Sequence, residues 1–175
     1  ELQPSFCAAT GGNRACDIRS SPLSAHMVRH NAMTGEAEIE VRLVDAWDVE
    51  MIADLYRAGG WWNETWDPAG LGALIAGSFA FAVAVDPAAE RAVGMGRVIS
   101  DGVSDGYVQD LVVLPGYRGQ GVGTMILSTL LDYCRSAGVT WVALVAEPGT
   151  EAFYTALGFR RMEEHIPMRW YPENR

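Results

Sequence analysis

Arg118, Gly119, Gly121 and Gly123 are the residues whose types and spacing point most directly to chemistry; they stand in the run Arg118-Gly119-Gln120-Gly121-Val122-Gly123. Glycine lets a backbone approach a ligand closely, and Arg118 is the only full positive charge in the loop. Before the loop, Val108 to Leu114 reads as a nearly continuous apolar strand closed by Pro115. After it, Val122, Ile126, Leu130 and Cys134 recur at helical spacing, with Met125, Leu127 and Leu131 widening the apolar stripe. A buried strand thus turns through glycines into a helix N-terminus, whose unpaired N–H groups and dipole suit a pyrophosphate. A dinucleotide fold would want G-x-G-x-x-G, but Thr124 stands where the last glycine belongs. A P-loop needs a lysine, as do Schiff-base enzymes, and all 13 basic residues of this chain are arginine.

The elements that must position this loop can be read around it. Ile39 to Val44 alternates as a strand, and Asp48 to Ala58 carries Val49, Ile52, Leu55 and Tyr56 at helical spacing, with Asp48 or Asp45 as cap and Gly59-Gly60 as stop. Pro68 opens a second helix through Gly77. Phe79 to Val85 and Ala92 to Ser100 are strands, with Gly94 and Gly96 signalling a bulge or a close approach. A helix 122–137 ends at Gly138, a strand comes next over Val139 to Ala146, then a short helix over Thr150 to Leu157, and an irregular hairpin arm over Phe159 to Trp170. The order β-α-α-β-β-β-α-β-α-β gives a mixed α/β class.

The motif L-V-V-L-P-G-Y-R-G-Q-G-V-G-T-M-I-L, with W-V-A-L-V-A at 141–146 and E-A-F-Y-T-A-L-G-F at 151–159 after it, resembles the acyl-CoA-binding region of the GNAT superfamily of N-acetyltransferases. In element order the resemblance covers roughly residues 39–170, with 39–74 fitting the variable acceptor region only loosely. It implies a central, mostly antiparallel sheet with one splayed parallel strand pair, flanked by about four helices. It implies acetyl-CoA as co-substrate, its pantetheine arm lying between the splayed strands against the main chain of Leu111, Val112 and Val113. A backbone N–H there, that of Val113 or a neighbour, would polarise the thioester carbonyl. Arg118, Gly119, Gln120, Gly121, Val122, Gly123 and Thr124 would take the pyrophosphate, and Phe153 joins the cofactor-binding set.

The same resemblance gives Tyr154 the role of acid toward the departing thiolate; on its helix it lies about 100° round from core-facing Phe153. The base stays open among Glu147, Asp110, Glu64 and His165, with Glu147 and Asp110 ranked first. Burial would raise the pKa of Asp110 unless a cation compensates. Trp61, Trp62, Glu64 and Trp66 fall between the first two helices, where the family builds its acceptor site. Aromatic walls with one carboxylate suit a small amine of aromatic or apolar body, although tryptophans plugging the core explain the cluster as well. Trp47 and Trp141 read as such core residues.

Length and composition agree with one compact domain, which the resemblance makes an N-acetyltransferase domain over 39–175. The net charge of −9 argues against a nucleic-acid or anionic-membrane surface. No apolar run approaches the roughly 20 residues of a membrane span. Three cysteines, with Cys134 on an apolar helix face, suggest a reducing compartment, with cytoplasm as the default. Residues 1–38 have no period and scattered Pro and Gly; they read as an irregular extension, with Met27 and Met33 as alternative native starts. Cys7, Cys16, His26 and His30 are spaced too widely for a zinc finger, so no metal is expected. The expected activity is direct acetyl transfer to a small primary amine, with a homodimer as an open option. Acetylation of a protein N-terminus, a lysine or an amino sugar, and a non-catalytic acyl-CoA sensor, are the alternatives.

Overall fold

The computed structural model describes residues 38–171. Of the expected extension over 1–38, residues 1–37, with Cys7, Cys16, His26 and His30, lie outside the described residues, as does the end of the chain from residue 172. Ten elements occur in the order β1 (Glu40–Leu43), α1 (Val49–Ala58), α2 (Gly70–Ala76), β2 (Ala80–Asp86), β3 (Arg91–Ser100), β4 (Asp105–Val113), a 3₁₀ turn (Pro115–Tyr117), α3 (Val122–Ser136), β5 (Trp141–Ala143) and α4 (Glu151–Ala156). The five strands lie in chain order across one sheet. Neighbours from β1 to β4 are antiparallel, and β4 and β5 are parallel. This is the expected mixed sheet with four helices.

Local chemistry accounts for the elements that frame the loop. The Asp48 carboxylate accepts from the N–H groups of Glu50 and Met51, both at 3.0 Å, so α1 starts where an N-cap was expected. Its buried face (Ile52, Ala53, Leu55 and Tyr56) packs over β3 and β4. Every residue of β2 is buried, the strand lying between β1 and β3 with α3 packed across it. Gly94 and Gly96 combine both expected roles. A Cβ on Gly94 would come within 2.9 Å of Ile126, and one on Gly96 within 3.1 Å of the same side chain, so α3 lies almost on the β3 backbone. The β3–β4 register also shifts between Met95 and Arg97. Since side chains alternate across a strand, Arg97 points to the opposite face, where α1 lies.

The C-terminal part departs from expectation. β5 keeps only three of the eight expected residues, and it pairs with β4 only from Asp105↔Trp141 to Tyr107↔Ala143. Beyond that point β4 runs on to Val113 with no partner on that edge, so residues 144–146 have no ladder to join. No strand occurs over the expected hairpin arm 159–170. Trp141, expected in the core, is half exposed because β5 forms the sheet's edge. Cys134 is buried on α3 as its spacing indicated. No helix among the described residues is long and apolar enough to cross a membrane.

Candidate active site

The parting of β4 from β5 opens a cleft of about 490 Å³ above the start of α3. Leu111, Val112 and Val113 form one wall, Gly149, Thr150, Phe153 and Tyr154 the other, and the glycine loop the floor. The backbone of β4 is suited to meet a ligand there. The Leu114 N–H donates to the Val93 carbonyl at 2.8 Å, so the groups of Leu114 face β3. Main-chain groups alternate sides along a strand, and those of Val113 therefore face the cleft. Its carbonyl accepts from Arg118 Nε at 2.8 Å, which leaves the Val113 N–H as the donor on this edge. Val112, paired opposite Met95, contributes its position in the wall rather than its main chain.

The loop reaches its shape through two left-handed glycines, Gly119 at φ +77° and Gly121 at φ +80°. Gly121 is the residue preceding α3, and no side chain caps that helix. The first N–H groups of α3 are left for a ligand, at the positive end of the dipole. Arg118, Gly119, Gly121, Val122, Gly123 and Thr124 all border the cleft. Gln120 does not; its amide donates to the Gly116 carbonyl at 3.0 Å and ties the loop to the preceding turn. Gly123 lies against Phe153, a Cβ there meeting the ring at 3.4 Å.

Sequence reasoning missed Tyr117 and Thr150. Tyr117 borders the cleft and donates through its hydroxyl to the buried Asp86 carboxylate at 2.8 Å. Asp86 also accepts from the N–H groups of Ala88 and Ala89. Tyr117 stands next to Arg118 in the motif, but nothing in the pattern pairs it with a residue 31 positions away. Its hydrogen bond holds the Asp86 carboxyl below its usual pKa and lifts the Tyr117 phenol. Thr150, the residue before α4, donates through its hydroxyl to the Glu147 carbonyl at 2.7 Å and caps no helix N–H.

Tyr154 projects from α4 between Phe153 and Phe159, with ring centroids 5.0 and 6.0 Å away. Burial, and secondarily the charge of Glu147, raises its phenol pKa, so the hydroxyl stays protonated well past neutrality. Glu147 is exposed and does not line the cleft, although its charge reaches Tyr154. Asp110 is placed differently. It sits at the β4 bulge with φ +56°, and its carboxylate accepts from Tyr56 Oη at 2.7 Å and pairs with Arg97. The compensating cation is therefore present. His165 is in the exposed final segment.

The tryptophan loop lies on the α1 side and borders no part of the cleft floor or walls. The Trp61 ring meets Tyr56 edge-on at 6.2 Å, and Trp62 meets Trp66 at 5.7 Å. Arg57 stacks over Trp62 and pairs with Glu64 at 3.1 Å, so the Glu64 charge is already offset. Trp61 and Trp66 remain partly exposed. No metal-binding cluster of His, Cys, Asp or Glu exists among the described residues.

A splayed parallel pair over a glycine-primed helix is the architecture of an acyl-CoA-dependent transferase. The chain belongs to the acetyltransferase (GNAT) family, whose pattern it matches over residues 46–159. A GNAT-family acetyltransferase from Streptococcus pneumoniae shares the fold with a TM-score of 0.65 and 29% identity, over 77% of this chain and 98% of that one. Serotonin N-acetyltransferase 2, chloroplastic, of Oryza sativa is 41% identical over 71 residues, which is 41% of this chain and 36% of the relative. Histone acetyltransferase TAP1 of Glycine max is 34% identical over 86 residues, 49% of this chain and 37% of the relative. The chain spans about half the length, or less, of the curated relatives it matches.

Proposed function

We propose that this protein transfers an acetyl group from acetyl-CoA directly to a small primary amine. The observation that carries this reading is the parting of β4 and β5 immediately above the start of α3. Pyrophosphate oxygens would take the N–H groups of loop 119–124 and the free end of Arg118. The pantetheine amides would lie along the β4 edge at Leu111 and Val113. The Val113 N–H would then hold the thioester oxygen as negative charge grows on it, an effect worth about 3 kcal/mol for a single fixed donor.

An amine that has lost its ammonium proton, to Glu147 directly or through water, attacks the thioester carbon. The C–N bond forms, the C–S bond breaks, the thiolate takes the phenolic proton of Tyr154, and the surplus proton on the amide nitrogen returns to the tyrosinate directly or through water. The raised pKa of Tyr154 supports this assignment, because a phenol that is still protonated near neutrality can serve as an acid but not as a base. Two observations bear on the acceptor. The partly exposed Trp61 and Trp66 suit a compact aromatic or apolar amine, and one relative is named for serotonin, an amine of that kind. The Arg57–Glu64 pair removes the free carboxylate from that loop, and a second relative is named a histone acetyltransferase, so a protein amine is the second reading. We place the protein in the cytoplasm on its cysteine usage.

The test is an acceptor screen with acetyl-CoA, monitoring release of the CoA thiol. Arylalkylamines, polyamines, amino sugars and peptides with free N-termini or lysines would be compared. Faster thiol release with arylalkylamines is expected. Turnover confined to peptides would reverse the choice of acceptor, and tight CoA binding with no turnover on any amine would make the protein a sensor.

A further inference from the structure

Asp110 stands in a backbone conformation that residues other than glycine seldom adopt, at φ +56° within the half-buried strand β4. Aspartate visits this region more readily than most residues, but such a conformation persists only where its surroundings over-determine it. Those surroundings are specific. Arg97, opposite on β3, pairs with the Asp110 carboxylate and donates a second bond to Gln109 Oε1 at 2.9 Å, spanning the start of the bulge. Tyr56 reaches the same Asp110 oxygen from α1 at 2.7 Å. The β3–β4 register slips at this point, between Met95 and Arg97. A bulge adds one residue and re-aims the strand beyond it. Beyond this one lie Leu111 to Val113, the wall of the cleft.

We propose that Arg97 and Tyr56 are positioning residues for the transferred acetyl group: by clamping Asp110 they fix the bulge that aims the main chain of Leu111 and Val113 into the cleft. Neither residue borders the cleft, so both act through Asp110. The clamp also touches the tryptophan loop. The Trp61 ring meets Tyr56 edge-on, and the Trp61 backbone N–H donates to the Tyr56 carbonyl at 3.0 Å. A molecule held against Trp61 therefore abuts the group that sets the β4 amides. On this reading the Asp110 carboxylate holds the backbone in place and leaves proton removal to Glu147. The inference rests on the acetyl-CoA reading of the cleft.

The test uses the full chain with Arg97→Gln, Arg97→Lys and Tyr56→Phe, the last removing a single hydroxyl and keeping the ring against Trp61. Amide exchange and chemical shifts of residues 110–113 are tracked by NMR, and the affinities of CoA and acetyl-CoA are measured by calorimetry. Arg97→Gln and Tyr56→Phe are expected to speed exchange at the 111–113 amides and to leave CoA affinity within about twofold. They should also remove whatever preference the parent shows for acetyl-CoA over CoA, roughly two- to tenfold if one N–H holds the thioester oxygen. Arg97→Lys, which keeps the charge, should restore part of it. Unchanged exchange at Leu111 and Val113 in both Arg97→Gln and Tyr56→Phe would overturn the proposal, as would equal loss of CoA and acetyl-CoA binding. A parent protein that binds neither molecule would instead defeat the acetyl-CoA reading, and the exchange data would still decide whether the clamp exists.

Discussion

Replacing Gly121 should separate what the fold needs at this position from what the ligand needs. Gly121 has φ +80°, and a Cβ built there meets nothing within 4 Å, so crowding inside the protein contributes nothing. In Gly121→Ala the cost to folding is the backbone conformation alone, about 1–2 kcal/mol for a left-handed residue bearing a Cβ. In a domain of this size that lowers the melting temperature by a few degrees, at about 2–4 °C per kcal/mol. The cost to the ligand is separate, because Gly121 borders the cleft at the start of α3. Losing one or two charge-assisted bonds from helix N–H groups to phosphate, at about 1.5–3 kcal/mol each, weakens CoA binding by roughly tenfold or more. Gly121→Asn distinguishes the two, since asparagine tolerates the left-handed region yet still fills the ligand's space. Calorimetry should find its melting temperature near that of the parent and its CoA affinity as poor as that of Gly121→Ala. Gly121→Val with parental CoA affinity would show that the pyrophosphate does not lie over this residue.

Three further outcomes are expected. Tyr154→Phe should leave CoA affinity nearly intact and lower turnover by about 10²-fold or more. Because burial raises the Tyr154 pKa, the parent's activity should persist through neutrality and fall only as pH rises through a value above about 10, the ordinary tyrosine range; a pH–rate profile of the variant should lack that limb. Arg118→Ala should weaken CoA binding by about 1–3 kcal/mol, an effect that grows as ionic strength falls, as titrations at two salt concentrations would reveal. Asp86→Ala, which strands the Tyr117 hydroxyl and two backbone N–H groups, should cost about 1–3 kcal/mol in denaturant unfolding. The Asp86 carboxyl is depressed in the folded state. Its contribution should therefore be present above the unfolded value near 4 and should fade as pH falls below it, so parent and variant converge in acid.

Much of the cleft was legible because its determinants are local. The glycine loop, the strand before it and the apolar stripe of α3 are contiguous in sequence, and each bears on the same cleft. Gly94 and Gly96 were readable as a close approach for the same reason, although what approaches them, Ile126, was not. What stayed hidden depends on pairs far apart in the chain. Nothing near Asp110 announces Tyr56, 54 positions earlier, and nothing near Tyr117 announces Asp86. The reading of 139–146 as one strand failed because a run rich in apolar and β-branched residues satisfies strand propensity, while pairing requires a neighbour that β4 withdraws after Tyr107. The Trp141 side chain was misplaced by the same reasoning: a large apolar residue reads as core unless its strand is known to be the last in the sheet.

The short contact between β4 and β5 also bears on the order of events in catalysis. Only three residue pairs join β5 to the rest of the sheet, and α4 buries no residue fully. Tyr154 and Glu147 thus ride on a lightly anchored part of the described chain, while β4 is tied into the sheet along its β3 edge. A molecule lying along β4 and touching Phe153 would bridge the two, acting as mortar for the wall that carries Tyr154. Thermal stability should then rise with the logarithm of CoA concentration once it exceeds Kd. The acceptor would meet a completed wall only after CoA had entered, which predicts a compulsory sequence of binding with the donor first. Initial-rate patterns and dead-end inhibition by desulfo-CoA would expose a random sequence if that expectation is wrong.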